Sequence, residues 1–197
     1  MRFSKGDTII EVMISFVVFS MVIVGAFILM NQGIASAQRS LEITLVREQI
    51  DAQIDMARYV QKYERTTWES LIKPAPTGKL VSSVSEFGTD LSCPTSASLS
   101  DAFFFGRTSD AKTVTLYSVG AASYGLAPTY SLVDYLATTP KSYGIWLMIV
   151  PAETKSGGPA DSATNKAYDL HVRSCWNSVG SSQPMTIGTV TRFYDVK

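Results

Sequence analysis

The chain has 197 residues, 46% of them hydrophobic, and its 17 basic and 17 acidic residues cancel. That length holds one globular domain of ordinary size beyond any membrane segment. With no long basic run, the electrostatic footprint of a nucleic-acid binder is missing, so nucleic acid is not expected as the main partner. One histidine and two cysteines cannot form the usual four-ligand zinc site without a crowd of carboxylates. No P-loop, Gly-x-Ser-x-Gly elbow, His-Glu-x-x-His helix or dinucleotide fingerprint occurs. Neither an enzyme nor a metal or cofactor centre is expected.

The first element lies in "RFSKGDTIIEVMISFVVFSMVIVGAFILMNQ". From Val12 to Met30 about 19 residues carry no formal charge, the length that an α-helix needs to cross a hydrocarbon core of roughly 30 Å. Glu11 stands at the edge of this run. A carboxylate inside such a span costs about 2.5–3.5 kcal/mol, so a retained one needs either an interfacial position or a partner.

Three readings of this segment compete. As a secretory signal peptide it has a basic n-region in Arg2 and Lys5 and a small-x-small site at Ala35–Ala37, with cleavage after Ala37, but its apolar core exceeds the usual length of about 7 to 15 residues. As an uncleaved signal anchor it is oriented by Arg2 and Lys5 through the positive-inside tendency, which leaves Glu11 unexplained. The third reading starts from the junction: a short basic leader ends in Gly6, "DTIIEV" follows with Glu11 five positions after that glycine, and the chain runs straight into the apolar helix.

This combination resembles the class III leader of type IV pilins and of the pseudopilins of type II secretion and DNA-uptake machines. The resemblance covers roughly residues 1 to 60. It implies cleavage between Gly6 and Asp7 by a prepilin peptidase, and it makes Glu11 the assembly glutamate, paired with the Asp7 ammonium of a neighbouring subunit. Most family members begin the mature chain with phenylalanine, which the same peptidase N-methylates; Asp7 stands here instead, and methylation of its amine is left open. Many major pilins also carry a proline partway along this helix, whereas the first proline here is Pro74. Without that breaker the helix has less cause to kink.

Glu11 has a simpler local role available. Thr8 and Glu11 stand at capping-box spacing, in which hydroxyl and carboxylate each satisfy a free amide at the helix start, and a negative group suits the positive end of the helix dipole. Capping and pairing do not exclude each other.

Beyond the span the period stays helical. Ile43, Val46, Ile50, Ile54, Ala57 and Val60 recur at steps of three or four, with Arg47, Glu48, Gln49, Asp51, Gln53, Asp55 and Arg58 between them, which predicts an amphipathic helix with one apolar stripe lying on the sheet of its own domain. If continuous to about Tyr63, the helix would be roughly 80 Å long. After "KPAPTG", Lys73 to Gly78, the chain turns to short β-branched and aromatic runs: "KTVTLYSV", "GIWLMIVP", "KAYDLHVRSCW" and "MTIGTVTRFYDV" read as strands. "AFFFGR" is a strand or a patch against the helix. Ala152 to Lys166 reads as a long hairpin loop. In "KAYDLHVRSCW" alternation sets Tyr168, Leu170, Val172 and Trp176 on a core face, and Asp169, His171, Arg173 and Cys175 on the other. Asp169, His171 and Arg173 read as members of a cross-strand charge arrangement rather than as a catalytic array.

The resemblance places Cys93 and Cys175 outside the cytoplasm, where an even count favours a disulfide over two unpaired thiols. The short C-terminal disulfide loop common in pilins does not match this pair.

The expected fold class is α+β, pilin-like, with a long N-terminal helix packed on an antiparallel β-sheet head. Residues 1–6 form the leader, 7–30 the transmembrane half of the helix, 31–65 its amphipathic half and 66–197 the head. The resemblance implies a single-pass plasma-membrane subunit with an extracytoplasmic head, assembling into a cell-surface filament. Its partners would be other pilin-like subunits, the prepilin peptidase, an inner-membrane assembly platform and, before assembly, the lipid bilayer. A pilin, a minor pilin and a pseudopilin remain open. So does a tip-located subunit for adhesion or DNA uptake, which is expected to show an exposed aromatic or basic cluster on its head.

Overall fold

A computed structural model describes residues 7–82, 92–107, 113–136, 139–152 and 165–196. Helix α1 spans Asp7–Tyr63 as 57 consecutive residues. A short helix α2, Arg65–Leu71, follows. The strands are β1 (Phe103–Gly106), β2 (Thr115–Ser118), β3 (Tyr124–Gly125), β4 (Leu132–Asp134), β5 (Lys141–Tyr143), β6 (Ile145–Pro151), β7 (Asn165–Trp176) and β8 (Met185–Val196). The layout is α+β. By internal contacts the chain forms two compact units, residues Met1–Leu41 and Glu42–Lys197, so the helix from Glu42 onward belongs with the head.

Five strands make one antiparallel sheet in the order β2-β1-β6-β7-β8. A smaller sheet, β3-β5-β4, has a parallel and an antiparallel pair. The expected hairpin between β6 and β7 is an antiparallel pairing from Ile145↔Ser174 to Pro151↔Tyr168; within the expected loop, residues 153–164 lie outside the described residues. "AFFFGR" resolves into β1.

The face of the large sheet that meets α1 carries Phe103, Phe105, Ile145, Leu147, Ile149, Leu170, Val172 and Trp176. Against it lie Val46, Ile50, Ile54, Ala57 and Val60, all buried. The expected stripe is therefore the packed one, and most of the stabilisation of this half of the helix comes from that face rather than from propensity. Trp68 of α2 extends the same core, its ring centroid 5.4 Å from Phe193 and 6.2 Å from Tyr168.

The opposite face of the sheet carries Trp146, Met148, His171, Arg173 and Cys175. There Cys93 and Cys175 form a disulfide with Cα atoms 5.5 Å apart, fastening the segment that bears Cys93 to the sheet. Gly144, between β5 and β6, has φ +73°. A Cβ there would collide with the Cys175 carbonyl, so only glycine fits this left-handed close approach.

Candidate functional site

In its first unit α1 presents an apolar surface on every side. Phe16 and Leu29 are each 70% exposed, and every large hydrophobic side chain from Ile9 to Met30 is exposed. None of this apolar stretch is buried, and the helix is long and apolar enough to cross a membrane. Ser20 keeps its hydroxyl satisfied inside the helix by donating to the Phe16 carbonyl at 2.8 Å. Around Gly25 and Gly33 there is open space, with no heavy atom within 4 Å of a Cβ built there.

Glu11 is exposed on the first turns of α1. Gly6 lies outside the described residues, as do the side chains of Asp7 and Thr8. The capping box expected of Thr8 and Glu11 rests on a Thr8 side chain that lies outside the described residues.

In its second unit α1 is tied to the head by polar side chains aimed at backbone. Glu42, 6% exposed, accepts from Trp176 Nε1 at 3.0 Å. Gln49 Oε1 accepts from the Val133 amide at 3.3 Å. Gln53 reaches Phe105 and Tyr135, Gln61 Nε2 donates to the Tyr194 carbonyl at 2.9 Å, and Glu64, between α1 and α2, accepts with Oε1 from the Val114 amide at 2.9 Å. Four of these side chains meet backbone groups of the strands or of the residue before β2, and Glu42 meets an indole N–H.

Gln53 corrects the sequence reading. It stands among the polar positions between the stripe residues, yet it is fully buried. A signal was present: Val46, Ile50, Gln53, Ala57 and Val60 step by four, three, four and three, so Gln53 sits in the seam of the buried stripe. Glu42, four residues before Val46, extends the same seam.

On β7 the expected cross-strand arrangement has an unforeseen partner. Asp169 receives Arg192 of β8 in a bidentate pair, Nε to Oδ1 at 2.7 Å and Nη2 to Oδ2 at 2.8 Å, at the register position Asp169↔Arg192. This pair holds the Asp169 carboxyl below its usual range and raises the already basic guanidinium. His171 is pushed below its ordinary value by burial first and by Arg173 second, against the opposing pull of Asp169. Arg65 reaches buried Asp195 at 2.6 Å.

The last turns of α1 expose an aromatic and basic cluster. Tyr59 and Tyr63 have ring centroids 5.1 Å apart, and Lys62 Nζ lies 4.9 Å from the Tyr63 centroid. Beside it runs a groove of about 580 Å³ lined by Tyr63–Thr67 and Thr113–Leu116. Among the described residues no group of three or more His, Cys, Asp or Glu is arranged to hold a metal ion.

No known protein family, curated protein or solved structure matches this chain.

Proposed function

We propose that this chain is a structural subunit, pilin, minor pilin or pseudopilin, of a type IV pilus-like filament. A prepilin peptidase cuts after Gly6, and the subunit waits in the bilayer as a single-pass protein with its head outside. An inner-membrane platform then moves it into a filament built on α1. What supports this reading is the make-up of one segment: a glycine in the leader position of the sequence, then a helix with Glu11 near its start, an apolar span exposed on all sides, and an amphipathic half belonging to a disulfide-bonded β head. A contiguous apolar surface of that extent needs lipid or other apolar helices around it, and the two states of a pilin supply one each.

Glu11 has a distinct task in each state. In the bilayer it lies near the interface, where its charge stays hydrated. In the filament it meets the Asp7 ammonium of a neighbouring copy, and exclusion of water strengthens that attraction. Glu11→Gln separates this role from capping, because glutamine also serves in capping boxes. The variant is expected to insert and be cut normally, yet to enter filaments poorly from an equally abundant membrane pool. Wild-type incorporation would contradict the pairing.

A second reading, a tip-located binding subunit, is favoured by the Tyr59–Lys62–Tyr63 cluster beside its groove. Replacement of both tyrosines by serine would abolish surface or DNA binding without altering filament number if that reading holds.

A further inference from the structure

Contacts at two ends lay the β7–β8 hairpin alongside the second half of α1. At one end Glu42 accepts from Trp176 Nε1. At the other, Gln61 donates to the Tyr194 carbonyl, and Tyr194 stands opposite Ala167. From Glu42 to Gln61 α1 rises about 28 Å, and from Ala167 to Trp176 β7 rises about 30 Å. Equal spans pinned at both ends mean that the hairpin follows the helix axis. The turn joining β7 to β8, residues 177–184, therefore projects past the end at which α1 enters this unit.

In that turn the Ser181 N–H donates to the Ser178 carbonyl at 3.1 Å, and Gly180 has φ +75°, the positive value that a type II turn takes at its third position. Val179 forms the corner and is 64% exposed. Ala127 bridges to Trp176, which brings Leu126, 53% exposed, to the same end. Both segments are without formal charge: none occurs from Ser174 to Thr191, and none from Thr113 to Val133.

We infer that this end of the head is a lipid contact: while α1 spans a bilayer, Val179 and Leu126 rest in the headgroup layer of the leaflet from which the head emerges. The length of the chain selects the occupant. Met30 ends the apolar span, and at most about 18 Å of helix separates it from Glu42. Val179, three residues past Trp176, reaches about 10 Å beyond that level, and the headgroup layer itself stands about 5–7 Å above the hydrocarbon. An ordinary helix tilt of about 20° closes what remains. Segments without charge enter that layer with no ion to desolvate. Two side chains of this size would hold a free protein to lipid only weakly, but α1 tethers the head at the surface, which makes their contact intramolecular. The inference rests on the reading of α1 as a membrane span and not on filament assembly.

Depth-dependent quenching tests it, with the full chain in phosphatidylcholine vesicles and a fluorophore on one added cysteine, attached without reductant so that the native disulfide stays closed. A nitroxide carried at the lipid headgroup is expected to quench the probe at Val179→Cys and at Leu126→Cys, and to leave Thr66→Cys, at the far end of the head on α2, unquenched. Val22→Cys, read with a nitroxide deep in the acyl chains, reports the span separately. Quenching at Val22 with none at Val179 or Leu126 would overturn the lipid contact and leave the span standing. No quenching at Val22 would remove the span and the contact with it. Equal quenching at Thr66 and Val179 would also overturn the inference, because the head would then lie on lipid with no preferred end.

Discussion

Gln53 on α1 binds both polar groups of the Phe105 backbone: its Oε1 accepts the Phe105 N–H at 2.8 Å and its Nε2 donates to the Phe105 carbonyl at 2.8 Å. β1 and β6 pair only at Phe103↔Leu147, and two residues farther along β1 the side-chain amide of Gln53 fills the place of a strand partner. The same Nε2 donates to Tyr135 Oη at 2.9 Å. One helical side chain thus completes the sheet and ties in the segment that follows β4.

Gln53→Leu keeps the volume and removes this completion, leaving two buried backbone groups without a partner. The expected loss of head stability is about 2–4 kcal/mol, read as a lowered denaturant midpoint with an unchanged slope. A loss below about 0.5 kcal/mol would mean that water replaces the amide.

The Cys93–Cys175 disulfide closes a loop of sequence separation 82. In the chain-entropy model such a loop contributes about 4–5 kcal/mol. Cys93→Ser with Cys175→Ser is expected to lower the thermal midpoint by well over 10 °C for a head of this size, and peptide mapping without reductant should recover the linked pair from the wild type.

Two groups on the outer sheet face give stability a two-step dependence on pH. His171 titrates in the fold below its ordinary value of 6.5, through burial and Arg173. The unfolded chain therefore takes up the proton first, and stability is full above about pH 7 and declines as pH falls through 6.5. Asp169, held by Arg192 below its ordinary 3.8, adds stability that is full at neutral pH and is lost as pH falls below about 4. Unfolding measured from pH 8 to 3 should show both declines, with His171→Gln abolishing the first and Asp169→Asn the second.

The sequence made legible those elements whose periodicity was strong. The stripe from Val46 to Val60 and the alternation of Tyr168, Leu170 and Val172 are imposed by burial on one side, and the structure buries those faces. The strands β3, β4 and β5 have two or three residues each, too few to set up an alternation. α2 was not foreseen because its apolar positions, Trp68 and Leu71, make only one helical step. Gln53 and Glu42 stand in step with the buried stripe, but their partners were not legible: a polar residue in a buried seam is tolerated only when a specific partner meets it, and that partner, Phe105 or Trp176, lies far away in the chain.

The proposed processing of the N-terminus is tested most directly by the first residue of the mature protein, read by N-terminal sequencing together with intact mass. The filament reading predicts Asp7, with the mass of residues 7–197 less the two hydrogens of the disulfide, and with or without one methyl group. A chain starting at Gln38, just ahead of the compact unit that begins at Glu42, or one retaining Met1 would contradict it.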